Sequence, residues 1–209
     1  MKGLAEYDFE SLQKKLKKEL DSGRFQHTLG VMYTAAALAM AHDADITKAQ
    51  VAGLMHDCAK CMPGKKKLKL CAQKHMEVSD YEQKNTFMLH ARLGAVLARD
   101  EYGIQDPEVL SAIEWHTTGK PEMTTLEKII FIADYIEPGR CKAADLPEAR
   151  QLAFEDLDRC MYVICRDTLA YLEEKGAEID DMTQKACDYY KALFEDKQNC
   201  SSQEKIFIC

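Results

Sequence analysis

The 209-residue chain lacks any apolar run approaching the roughly 18 residues needed to cross a bilayer. It has only five prolines and no stretch rich in Pro, Gly and Ser, so nothing marks a linker between domains. The strict apolar–polar alternation of a half-buried strand is missing too. Positive charge is the scarcer sign: 28 Lys and Arg stand against 35 Asp and Glu, a net charge of −7. That balance argues against a nucleic-acid binder with a broad basic face. The N-terminal MKGLAEYDFESLQKK is too charged to supply a signal-peptide core, so a cytoplasmic location is expected. Cysteine is abundant, at nine, but the number is odd and the spacings irregular, which favours reduced thiols over a disulfide framework. Cys58 and Cys61 have CxxC spacing without the second pair a structural zinc site needs, and packing is the better reading.

What is present is helical periodicity, and the fold class is all-α. The pattern predicts helices over about 7–21, 26–42 and 47–62, the last opened by Thr47 and Gln50 and stopped by Pro63-Gly64. A short helix over KKKLKL follows. Ser79 with Glu82 and Thr124 with Glu127 have capping-box spacing, and Asp106-Pro107-Glu108 reads as an N-cap, a first-turn proline and a first-turn acid. Further helices are expected over 85–102, 107–118, 125–137, 147–175 and 181–195. Residues 1–196 are expected to form one domain, and 197–209 a weakly ordered tail.

Ionisable residues fall on the apolar stripes. His27 is in register with Val31, Ala35 and Leu38, His90 with Phe87, Gly94 and Leu97, His116 with Val109 and Ile113, and Asp134 with Leu126 and Ile130. The adjacent pair His56-Asp57 sits among Val51, Leu54, Met55 and Cys58. Taken alone, that pair could be a core histidine beside a helix-surface acid or two ligands of one metal ion. Burying each group unpaired would cost several kcal/mol. A shared metal centre accounts for all six together, because imidazole nitrogens and carboxylate oxygens bind divalent transition metals. His42 and His75 read as solvated and fall outside this set.

The segments carrying these residues are RFQHTLGV, GLMHDCAK, LHARLGA, AIEWHTTGK and IIFIADYIEPGR. Together they resemble the YqeK-like family of bacterial HD-domain hydrolases, over about residues 20–190. The resemblance implies an HD-domain helical bundle that cleaves diadenosine tetraphosphate symmetrically into two ADP, with hydroxide bridging two metals as the attacking group. It implies that His27, His56, Asp57 and Asp134 hold one ion and that His90 and His116 hold the second, with Asp57 between them. Iron is the metal it implies; manganese, cobalt, nickel and zinc suit the same donors. Cys58 departs from the bulkier residue expected after His-Asp, and the tail extends past the match. The implied partner is a dinucleoside polyphosphate, with no nucleic acid and no membrane, and a homodimer stays open.

Asp57 and Lys60 are the catalytic candidates. Arg24, Lys60, Thr117, Thr118, Gly119 and Arg140 are the candidates for substrate contact: arginine suits bidentate phosphate binding, lysine is a compact charge, and the HTTG turn offers hydroxyls and backbone groups. Each also has a plainer reading as a surface ion pair, helix-end charge or turn former. Two other functions compete. One keeps the metals with a different nucleotide substrate, and the other is a nucleotide-binding module without turnover.

Overall fold

The computed structural model describes residues 7–143 and 145–204. Among the described residues there are eleven helices and no strand. They are α1 (Phe9–Glu19), α2 (Ser22–Ala41), α3 (Ile46–Met55), α4 (Gly64–Gln73), α5 (Asp80–Lys84) and α6 (Leu89–Tyr102). After these come α7 (Pro107–Trp115), α8 (Thr125–Ile136), α9 (Leu146–Leu152), α10 (Leu157–Glu174) and α11 (Asp181–Glu204). No helix among the described residues is long and apolar enough to cross a membrane.

The centre of the bundle is α8. Its sequence TLEKIIFIADYI is apolar nearly all round, as a helix with neighbours on every side must be. It packs on α2, α3, α7, α9 and α10, and α3 also packs on α2 and α7. Gly53 permits the close approach of α3 to α2: a Cβ there would lie 2.9 Å from Met32 Cα. Leu54, Met55, Ile129, Ile130 and Ile132 are fully buried where these helices meet. Asp134 lies in this central helix, and the ends of α3 and α7 lie against it.

Both capping boxes form as the spacing predicts, at Ser79/Glu82 and Thr124/Glu127, and Asp106 caps α7 through the amides of Glu108 and Val109. Several boundaries differ from expectation. Helix α2 begins at Ser22, before the expected start near 26, because the Asp21 side chain accepts from the Arg24 amide at 2.8 Å and starts it there. Asp45, not Thr47, caps α3, accepting from the Lys48 amide at 2.9 Å. That helix ends at Met55, so His56 is its C-cap and Asp57 lies in the turns beyond. The expected helix 147–175 is two, because the Asp156 carboxylate accepts from the amides of Asp158 and Arg159 and starts α10 afresh. Helix α11 continues to Glu204 where an end near 195 was expected, and residues 205–209 of the expected tail lie outside the described residues.

Candidate metal centre

Four histidines and two aspartates converge between α2, α3, α6, α7 and α8, and local chain geometry aims each imidazole. An α-helix leaves its last carbonyls without partners. His56, at the end of α3, gives its Nδ1 proton to Gly53 O at 2.7 Å, and His116, at the end of α7, gives its own to Ile113 O at 2.7 Å. His90, in the first turn of α6, does the same to Phe87 O at 2.5 Å. A carbonyl only accepts, so Nδ1 carries the proton and Nε2 turns a lone pair toward the centre. His27 is held differently: its Nδ1 lies 3.0 Å from Glu137 Oε1, across from α8.

Asp57 stands in the middle, 1% exposed, and its two oxygens divide the histidines. Oδ2 lies 3.3 Å from His56 Nε2 and 3.9 Å from His27 Nε2; Oδ1 lies 3.3 Å from His90 Nε2 and 3.6 Å from His116 Nε2. Asp134 Oδ1 is 3.0 Å from His27 Nε2. Donor atoms of His27, His56 and Asp134 lie within 4.8 Å of one another, as do those of His56, Asp57 and His116. His90 Nε2 adjoins the second group, 3.2 Å from His116 Nε2.

His27 Nε2, His56 Nε2 and Asp57 Oδ1 are buried without a hydrogen-bond partner despite these short separations. Distance alone is not a hydrogen bond: where Nδ1 holds the proton, the converging atoms are all acceptors, and lone pairs face lone pairs. Such an arrangement is costly unless positive charge enters between them. The donor set therefore fits divalent transition metals, which bind neutral imidazole and carboxylate.

Three side-chain cations edge the cluster. Arg24 Nη1 pairs with Asp57 Oδ2 at 2.8 Å, and Lys60 Nζ lies 2.9 Å from His90 Nε2 and 3.7 Å from Asp57 Oδ1. Arg140 contacts Asp134 Oδ1 at 2.6 Å. Burial opposes ionisation of Asp57, yet His56, His116 and His90 hold its carboxyl well below the usual range. Burial opposes that of Asp134 as well, but the neighbouring imidazoles of His27 and His56 lower it. Burial lowers and Asp57 raises His56, with a net upward shift. For His90 burial prevails, helped by His116 and Lys60, and its pKa falls to about 4.

Residues 24–139 match the HD domain family. The chain belongs to it. This HD domain is 38% identical over 164 residues to the symmetrical bis(5'-nucleosyl)-tetraphosphatase of Bacillus subtilis, covering 78% of the chain and 87% of the relative. It is 38% identical to the protein of the same description from Halalkalibacterium halodurans, over 87% of the chain and 95% of the relative. The corresponding protein of Staphylococcus aureus is 36% identical, over 88% and 94%. A crystal structure of a predicted HD superfamily hydrolase involved in NAD metabolism from Clostridium acetobutylicum superposes with a TM-score of 0.86. It is 40% identical and covers 90% of this chain and 98% of that one.

Within the HD domain, the structure brings all six expected ligands together, with Arg24, Lys60 and Arg140 at the rim. Thr117 joins them, its Oγ1 3.1 Å from the Nε2 atoms of both His90 and His116. Thr118 instead donates to Gly119 O at 2.9 Å. Gly119 is buried with φ +64°, and a Cβ there would touch Ala186, Met123 and Phe131, so its surroundings are the packing behind the turn. Cys58 is buried against Gly94 O, and Cys61 donates to Asp21 Oδ2 at 3.2 Å; neither reaches the cluster. His42 is not solvated as expected: its Nε2 lies 2.7 Å from Ala153 O.

Glu137 is the site residue that sequence reasoning missed. It is 4% exposed, and besides His27 it accepts from the Gly139 amide at 2.6 Å. Gly30, one turn after His27, makes room for it: a Cβ at Gly30 would lie 2.6 Å from Glu137 Oε2. The available signal was an acid at a helix C-terminus, where the helix dipole disfavours it unless something compensates.

Proposed function

We propose that this HD domain hydrolyses diadenosine tetraphosphate symmetrically to two ADP, and that His27, His56, Asp57, His90, His116 and Asp134 hold two divalent metal ions for that purpose. The observation that carries the substrate is the 36–38% identity, over most of both chains, to three proteins described as symmetrical bis(5'-nucleosyl)-tetraphosphatases. The division of the Asp57 oxygens, one toward His27 and His56 and the other toward His90 and His116, supports two ions joined by this carboxylate. Asp134 completes the first set. Iron is the proposed metal, and the donors also suit manganese, cobalt, nickel or zinc.

Bound there, such ions supply Lewis-acid charge and lower the pKa of water. The chain's own residues do the rest. Asp57, Asp134 and Glu137 are balanced by Arg24, Lys60 and Arg140, so divalent ions leave the site net positive, the sign a polyphosphate requires. Lys60, 31% exposed and one turn from Asp57, faces the phosphoryl group and offsets charge as the anhydride breaks. Arg24 and Arg140 hold their carboxylates in place and offer further N–H groups to phosphate oxygens. The Thr117 hydroxyl contributes a neutral donor beside His90 and His116.

Incubation of the metal-replete protein with diadenosine tetraphosphate tests this. Two ADP per substrate is the expected product. AMP with ATP, or no cleavage while other nucleotides are hydrolysed, refutes it.

A further inference from the structure

A cavity of about 830 Å³ opens beside the cluster, and its wall changes character along its length. Its lining includes His116, Thr117, Asp134 and Lys60 from the cluster and its rim, and Tyr135, Asp167, Thr168 and Tyr171 from the α8–α10 side. Two contacts fix how these groups are related. Lys128 Nζ lies 2.8 Å from Asp158 Oδ1, and further along both helices the Tyr135 hydroxyl donates to Asp167. Helices α8 and α10 therefore run in the same direction, and Asp134 is level with Asp167. Tyr171, four residues on, is displaced by about 6 Å along the axis. That carries it past Ile136, the last residue of α8, and away from the cluster.

Tyr171 presents its ring to the cavity, 58% exposed. The Lys175 ammonium lies 5.6 Å from the ring centroid, on a side chain itself 54% exposed, and a planar group can replace it. Cations edge the end near the cluster, where Lys60 and Arg140 stand, and aromatic surface follows one helical turn away. A ligand that fills both ends must carry negative charge first and a flat apolar ring beyond it. A nucleoside phosphate has that order.

We propose that Tyr171, Tyr135 and Asp167 form a nucleoside subsite, with the purine stacked on Tyr171 and ribose hydroxyls donating to the Asp167 carboxylate. The inference rests on the substrate assigned above and gives it a measuring device. Anchoring one nucleoside at a fixed distance from the cluster decides which phosphorus along the chain is presented for cleavage, and so keeps the cut central.

The test is titration of metal-replete protein with ADP and, separately, with pyrophosphate, which shares the phosphates but has no base. Tyr171→Ala is expected to weaken ADP about tenfold, the worth of one stacked base, while pyrophosphate affinity is unchanged and Tyr171→Phe restores ADP binding. With diadenosine tetraphosphate, Tyr171→Ala should raise KM more than it lowers kcat and release some AMP and ATP. Unchanged ADP affinity in Tyr171→Ala overturns the subsite, and so does equal loss of both ligands or no recovery with Phe. If wild type leaves diadenosine tetraphosphate intact while the ADP–pyrophosphate contrast persists, the substrate assignment fails and the subsite stands.

Discussion

Replacing Glu137 should weaken metal binding although Glu137 is not itself among the ligands. Its carboxylate orients the His27 ring through a 3.0 Å contact at Nδ1 and is fixed in turn by the Gly139 amide. Partners of this kind, one shell behind a metal ligand, are worth roughly 10- to 100-fold in metal affinity, or about 1.4–2.7 kcal/mol. Glu137→Gln keeps an acceptor oxygen but loses the charge that strengthens the bond, so a loss near the lower figure is expected. Glu137→Ala removes the acceptor of the His27 ring altogether and should approach the upper one. Gly30→Ala provides an independent perturbation, because its Cβ would fall 2.6 Å from Glu137 Oε2 and push the carboxylate aside without removing a polar group. A chelator-competition titration measures the affinities, and circular dichroism checks that helix content is retained. If Glu137→Gln binds metal within about twofold of wild type, the carboxylate does not position His27 and the reasoning fails.

Asp57→Asn should lower metal stoichiometry from two ions and reduce hydrolysis by about a thousandfold, because several kcal/mol of charge stabilisation depends on the ions; metal analysis beside the product assay reads both. Stripping metal with a chelator should lower Tm, since an ion at a hundred times its Kd contributes about 2.7 kcal/mol to the native state; an unchanged melting curve would contradict ligation by these residues. Glu127 links stability to pH. Burial raises its pKa, but Ser111, Lys120 and the Thr124 amide outweigh burial and lower it. Its contribution is thus present above the unfolded-state pKa and disappears as pH falls through the lower folded value, so wild type should lose more stability on acidification than Glu127→Gln in urea unfolding. Thr124→Ala removes the other half of that capping box and should cost about 1 kcal/mol at neutral pH in the same assay.

The cluster was legible because ionisable side chains on apolar stripes are conspicuous, and all six converge although His56 and His116 cap helix ends and Asp57 lies in a turn. Local capping was legible where side chain and amide are three residues apart, as at Ser79 and Thr124. Competition between adjacent signals was harder. Ser22-Gly23 has the composition of a terminator, yet Asp21 captures the Arg24 amide and wins. Thr47 has the spacing of a capping box, but Asp45 caps two residues earlier. The end of α3 at Met55 was hidden because the residues after it stay apolar and buried: Cys58 and Ala59 continue the hydrophobic pattern through turns. Glu137 carried only the weak signal of an acid at a helix end. Its burial depends on Gly30 in another helix, and no local pattern encodes that encounter.

His56 and His116, proposed above as ligands, also form the last hydrogen bonds of α3 and α7. Fraying of either helix end and departure of an ion are therefore one event: when the final turn opens, the imidazole that completes it swings off the centre. The speed of metal exchange in such a site is governed by local helix opening, not by the strength of the coordinate bonds alone. Conversely, each captured ion would quiet the turn whose imidazole it holds, so a loaded centre would lend rigidity to the inner ends of the helices from which it is built.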